Sequence, residues 1–254
     1  MTFVDIHAHL DFEVFDNDRD DLLSKLKENK IVVYTNTLNY EEYLKSVKLF
    51  ENYDNINVCP GLYPQEAEKY STEQIDEYCT YLKKNKDSFL AIGEVGLDRH
   101  HTKKSELWDI QEKHFRKLIE LAIQLNKPLI IHTRKAEVRT LEIIREYVES
   151  TGFKKFNLHC FTGKKKLIKE IKSLGIYCSI PLTVLNTESF QILVRELPIK
   201  QLLVETDSPF LNPNKERNTP LNVPLIYDKI ADIKGYDKKE IQNIIYRNVM
   251  KLVH

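Results

Sequence analysis

A chain of 254 residues with 42% hydrophobic content has room for one α/β barrel or two modest domains, and the lack of any Gly/Ser/Pro-rich linker favours a single domain over residues 1–254. Lysine plus arginine equals aspartate plus glutamate at 38 each, so net charge announces no nucleic-acid partner and any such binding must be local. No apolar stretch approaches the ~20 residues of a membrane span, and the opening Met1-Thr2-Phe3-Val4-Asp5 lacks a basic region leading into an apolar signal core, so the expected location is cytoplasmic with no membrane contact.

In chain order, short apolar β-branched runs alternate with longer stretches of helical periodicity, the signature of repeated βα units. Strands are predicted near 2–7, 31–36, 56–60, 88–93, 128–132, 155–159, 176–180 and 201–206. Helices follow near 17–29, 40–51, 71–85, 105–126, 135–150, 165–174, 186–197 and 221–234, and a ninth covers 238–252. Eight units suit a closed (β/α)8 barrel with an extra C-terminal helix better than a doubly wound open sheet, which more often stops at five to seven strands. Asn126-Lys127-Pro128 ends the fourth helix because proline cannot continue it, and Gly175 closes the sixth. Apolar positions from Ile110 through Phe115, Leu118, Ile119 and Ala122 to Leu125 give the fourth helix one stripe for the sheet, with Trp108 and Phe115 expected in the core. Cys59, Cys79, Cys160 and Cys178 are scattered without a C-x-x-C pair, which fits reduced thiols used as small buried filler.

Six polar residues stand at the downstream ends of these strands: His7, His9, Glu94, His132, His159 and Asp207. In a parallel barrel those ends share one rim, where residues distant in sequence converge and can hold divalent ions. Asp5-Ile6-His7-Ala8-His9 is the strongest local motif, since side chains two apart on a strand share a face and can grip one ion. Asp5 on that face is either a carboxylate behind the ligands or an interior polar contact. Glu94 interrupts an apolar strand between Gly93 and Gly96, and burying its charge calls for a nearby cation; pairing with Arg or Lys across the barrel mouth is the other reading. His132 and His159 each follow apolar runs, and Cys160 is expected to point away from His159 on a regular strand. Arg134 reads equally as a phosphate clamp or as a helix-start salt bridge. Asp207 reads as a ligand that also orients water or as a turn residue before Ser208-Pro209, with Glu205 on its face. The lysines at 103–104, 154–155 and 164–166 read singly as solvated surface.

Taken in order, D-x-H-x-H, G-E-x-G-L-D, I-I-H-T-R-K-A, H-C-F-T-G and L-V-E-T-D-S-P-F-L resemble the TatD family of metal-dependent deoxyribonucleases, over nearly the whole chain. The resemblance implies a distorted TIM barrel of the amidohydrolase superfamily. It implies two divalent ions (zinc, manganese, nickel, cobalt or magnesium), with His7, His9 and Asp207 on one, His132 and His159 on the other, and Glu94 bridging. Glu94 and Asp207 are then the catalytic carboxylates, Arg134, Tyr63 and Lys164 contact substrate, and the substrate is DNA, single-stranded or at 3′ ends, cut by a monomer through metal-assisted hydrolysis. No lysine occupies the Glu94 or His132 strand ends, which separates this chain from relatives bridged by a carboxylated lysine. One departure is Gly61-Leu62-Tyr63-Pro64-Gln65, where the family commonly has G-x-H-P-H, so Tyr63 and Gln65 must replace two histidines. His100 and His101 read as substrate-loop or surface residues. Two other functions stay open: hydrolysis of a small cyclic amide, ester or phosphoester, and a non-catalytic metal-binding barrel serving as a partner subunit.

Overall fold

The computed structural model describes residues 2–254, and among them eight strands alternate with helices. The order is β1 (Phe3–Ala8), α1 (Arg19–Glu28), β2 (Ile31–Asn36), α2 (Tyr40–Leu49), β3 (Ile56–Cys59), α3 (Pro64–Ala67), α4 (Thr72–Lys84), β4 (Ile92–Asp98), α5 (Glu106–Leu125) and β5 (Leu129–Arg134). Then come α6 (Glu137–Thr151), β6 (Phe156–Leu158), α7 (Lys165–Leu174), β7 (Tyr177–Ile180), α8 (Glu188–Glu196), β8 (Leu202–Val204), α9 (Val223–Lys234) and α10 (Lys238–Val253). No helix among the described residues is long and apolar enough to cross a membrane.

All strand pairs are parallel, in two ladders, β1-β2-β3 and β4 through β8. Two seams join them into a distorted (β/α)8 barrel. At one, Leu62 bridges Val95 while Gly93 N donates to Pro60 O (2.8 Å) and Leu62 N to Glu94 O (2.9 Å). At the other, Asp207 N donates to His7 O (2.9 Å) and His9 N to Ser208 O (2.7 Å). Val4, Ile6, Tyr34, Cys59, Ala91, Ile130 and Leu203 pack together with Val249, Leu252 and Val253 of α10, so the extra helix plugs the end of the barrel where the strands begin. The strand-facing stripes of the other helices bury the main apolar layer between barrel and helices. Local chemistry agrees with the boundaries: Asn39 caps α2 through Glu42 N, a Ser71/Gln74 capping box starts α4, and Asn126, Gly152, Gly175 and Gly235 end helices at positive φ.

Two expectations need correction. The fourth strand runs from Ile92 to Asp98 rather than over 88–93, so Glu94 lies inside the strand and not at its downstream end. The glycines around it do not stop the strand; a Cβ at Gly93 would meet Asn36 and Ile130, and one at Gly96 the His132 carbonyl, so they permit close strand packing. Trp108 is half-buried rather than core, since its Nε1 donates to Thr102 O (3.1 Å) and Arg99 lies over its ring at 4.5 Å. The β1 ladder shifts register between Asp5 and Ala8, and of the two readings of Asp5 the structure shows the interior polar contact. Its carboxyl group accepts from Thr206 N (2.9 Å) and from Thr206 Oγ1 (2.6 Å), bolting β1 to the segment after β8.

Candidate metal centre

Each of the six residues singled out in the sequence reaches one buried cluster at the end of the barrel where the strands finish. His7 is in β1 and His9 just beyond it, where Asn36 O takes His9 Nδ1 at 2.8 Å and leaves Nε2 for the cluster. Glu94 projects from within β4, His132 from β5, and His159 follows β6 directly. Asp207 lies three residues past β8, on a turn with φ 54°.

Glu94 is the hub. Its Oε1 is 2.8 Å from His132 Nδ1 and 2.9 Å from His159 Nε2, while Oε2 is 3.7 Å from His7 Nε2 and 3.6 Å from His9 Nε2. Asp207 Oδ1 stands 3.3 Å from His7 Nε2 and 3.6 Å from His9 Nε2. His7 stacks on His159 with ring centroids 4.1 Å apart, so it touches both sides of the hub. Two donor triads, His7/Glu94/His159 and His7/His9/Asp207, are compact enough for a single ion each. His132 joins the first through Glu94 and through His159 Nε2, 3.3 Å away.

Burial makes this cluster costly without a cation. His7 is fully buried and neither ring nitrogen has a hydrogen-bond partner, and His159 Nδ1 is also buried and unbonded. Burial alone would raise Glu94, but the imidazoles of His159, His132 and His7 outweigh it and hold the carboxyl well below its usual range. Asp207 behaves likewise: burial works upward, and His7 and His9 pull it down further. Burial works to lower His9, yet Asp207 and Glu94 push it up to about 9. His7 goes the other way, lowered by burial and by the neighbouring His159. Four imidazoles and two ionised carboxylates in this arrangement fit divalent ions of borderline softness, and the unbonded nitrogens of His7 are the observation that the fit explains.

Residues not assigned from sequence hold the ligand candidates in place. Asp98 closes β4 and its Oδ2 lies 3.0 Å from His132 Nε2, 2.7 Å from His101 Nδ1 and 3.2 Å from the Tyr63 hydroxyl that donates to it. Glu205 is fully buried, accepts from Cys160 N (2.8 Å) and sits 3.7 Å from His159 Nδ1. A signal for Asp98 existed in Gly96-Leu97-Asp98: with Glu94 in mid-strand, Asp98 becomes the acid at the strand end. Asn36 carried no such signal.

The remaining candidates are spread more widely. Tyr63 is half-buried, edge-on to His132 at 5.0 Å, with its hydroxyl committed to Asp98. Gln65 makes no side-chain hydrogen bond among the described residues, so only one of the two replaced loop positions engages the cluster. Arg134 is exposed at the end of β5, without an ion pair among the described residues, and with Lys135 and Lys103 it is near enough to His100 to help burial depress that imidazole. Lys164 caps α7 and lines a separate cavity of 710 Å³ with Thr162, Glu137 and Arg145. It has no hydrogen bond or ion pair to the cluster among the described residues. Cys160 does not follow strand alternation, because β6 ends at Leu158 and the chain turns at Cys160 with φ 46°.

A family model described as "TatD related DNase" matches residues 4–254. The chain is 33% identical over 252 residues to "Uncharacterized metal-dependent hydrolase MJ1582" of Methanocaldococcus jannaschii, covering 99% of this chain and 96% of that one. It is 32% identical to "Deoxyribonuclease TATDN3" of Homo sapiens, covering 98% and 93%. Among solved structures, the TatD homologue YJJV of Escherichia coli superposes with a TM-score of 0.87 at 22% identity, covering 99% and 97%. A phosphotriesterase homology protein of Escherichia coli superposes at 0.69 with 15% identity, covering 100% and 99%, a likeness of fold.

Proposed function

The chain belongs to the TatD family of metal-dependent hydrolases, and from that premise we propose that it is a deoxyribonuclease in which Glu94 bridges two divalent cations. His7, His9 and Asp207 hold one cation and His132 and His159 the other. When bound, the cations supply Lewis acidity, drawing in a phosphodiester, offsetting charge at phosphorus and making water nucleophilic near neutral pH. The observation that carries this reading is the split of one carboxylate, with Oε1 against His132 and His159 and Oε2 toward His7 and His9.

The protein's own groups divide the remaining work. Asp207 has the most accessible side chain of the six, 13% exposed against 11% or less for the others, so it meets the attacking water, orients it and accepts its proton. Asp98 fixes the His132 ring by holding the nitrogen that faces away from Glu94. Arg134, exposed on the rim and free of ion pairs among the described residues, takes non-bridging phosphate oxygens. The Tyr63 hydroxyl buttresses Asp98 and does not serve as an open donor to the leaving group. The name of the human relative favours DNA, and the family resemblance favours single strands trimmed from the 3′ end.

The test incubates metal-reconstituted protein with end-labelled single-stranded DNA beside a Glu94→Ala variant. Laddered products from the wild type and none from the variant support the assignment. Equal cleavage by both would point to a contaminant and end it.

A further inference from the structure

A groove of 930 Å³ opens between the β1–α1 loop, α2 and the 209–217 segment, and no role falls to it in the chemistry above. Its inner wall is continuous with the cluster: Phe12 stacks on His9 with centroids 4.9 Å apart and planes 24° from parallel. Phe210 stands edge-on to Phe12 at 6.0 Å and to His9 at 6.2 Å. Phe210 N donates to Asp207 O (2.8 Å), anchoring the backbone of this residue three positions from a proposed ligand, yet the residue is 51% exposed. An aromatic ring left half in water beside a reaction centre is a stacking surface awaiting a partner.

Charge narrows what that partner is. Asp16 is paired with Arg19, Arg217 with Asp18, and Glu42 is tied to Leu38 N and Asn39. In the rest of the lining Lys45 and Lys215 face Asp11, Glu13, Glu42 and Glu216, an acidic excess, so the groove does not draw a phosphate. Arg134, Lys135 and Lys103, without ion pairs among the described residues, gather instead near His100, beyond Asp98 and His132. Asp11 adds a specific polar feature: Ser46 Oγ donates to its Oδ2 (3.0 Å), while its Oδ1 is buried without a hydrogen-bond partner. A flat, neutral group that carries an N–H donor satisfies both the ring and the acceptor, and a nucleobase with an exocyclic amine has that chemistry.

We propose that the groove walled by Phe12 and Phe210 is a nucleobase subsite, in which the base flanking the scissile phosphodiester stacks on Phe210 and donates to Asp11 Oδ1. The proposal rests on the nuclease reading and extends it by giving the substrate a direction: base on the His9 side, backbone phosphates along Arg134 on the other.

Two measurements decide it. In the first, wild type and Phe210→Ala are compared on a single-stranded decamer and on the same strand lacking its two 3′-terminal bases. Wild type should prefer the intact strand by about 10-fold in kcat/KM, the worth of one base–aromatic stack, and the preference should fall to about one in the variant. A preference of the same size in both proteins overturns the subsite. In the second, metal-loaded Phe210→Trp is titrated with phosphorothioate-linked strands, which resist cleavage, and its emission above that of the wild type, whose only tryptophan is Trp108, is followed. Quenching by the intact strand but not by the shortened-base strand supports stacking; equal quenching, or none, overturns it, even if Phe210→Ala fails to fold. Loss of cleavage on both strands by the wild type would count against the nuclease reading alone, since the emission arm needs no turnover.

Discussion

On the β5 and β6 side of Glu94, His132 and His159 approach its Oε1 to 2.8 and 2.9 Å, whereas on the β1 and β8 side His7 and His9 stay 3.7 and 3.6 Å from Oε2. The closer side stands on the continuous β4-β5-β6 sheet, whose β4–β5 register shifts between Ile92 and Val95 around Glu94, with Asp98 and Glu205 behind the imidazoles. The wider side straddles a seam, where β1 and the chain after β8 meet through a few backbone bonds and the Asp5–Thr206 contact. One side is therefore organised by protein groups alone. The other has its donors aimed but spaced, with His7 unbonded, and gains most from a cation's charge.

The change that breaks both sides at once has the largest effect. Glu94→Ala should lower kcat by about 10³-fold or more, the scale of losing cation-assisted charge stabilisation, and should lower bound metal measured by plasma emission. Full metal content in that variant would remove Glu94 from the bridge. Next is Gly96→Ala, whose added methyl meets the His132 carbonyl at a residue with φ 146°. It should cost about 3 kcal/mol in urea unfolding, and a neutral result would show that β4 and β5 are not packed as described.

Asp98→Asn sharpens the comparison, since it disturbs only the ladder side. Loss of the acceptor for His132 and His101 should weaken metal binding or kcat/KM by about 10- to 100-fold, with the fold intact by circular dichroism. An effect within error would mean that His132 needs no support. Asp5 probes the seam and should give the smallest effect. Asp5→Ala should cost about 2 kcal/mol by stranding the Thr206 amide, with Asp5→Asn costing less. Burial pushes the Asp5 carboxyl up to about 8, above its value of about 4 in an unfolded chain. The native state therefore favours the neutral acid, and the contribution is fully present below pH ~4 and falls as pH rises toward 8. In Asp5→Asn that slope of Tm against pH should flatten; an unchanged slope would assign it to other groups.

Much of this was legible before the structure because strand ends and turn residues are local signals. Apolar runs, Pro128 and Gly175 placed eight strands and their helices, and the six polar residues at or near strand ends do converge. What the sequence hid was non-local. Gly93 and Gly96 read as the end of a strand, because nothing near them in sequence reveals that Asn36, Ile130 and His132 lie against them. Asp5 left two readings open because strand alternation gives a residue's face but not its partner, and Thr206 lies 201 positions away. Asp98 and the groove at Phe12 and Phe210 depend on which loops meet across the rim, and no periodicity carries that information.

Anomalous diffraction from crystals grown with manganese tests the central claim most directly. Two peaks should flank the Glu94 carboxylate, one within ligand distance of His7, His9 and Asp207 and the other beside His132 and His159. A single peak, or peaks that leave Glu94 uncoordinated, would contradict the bridged centre.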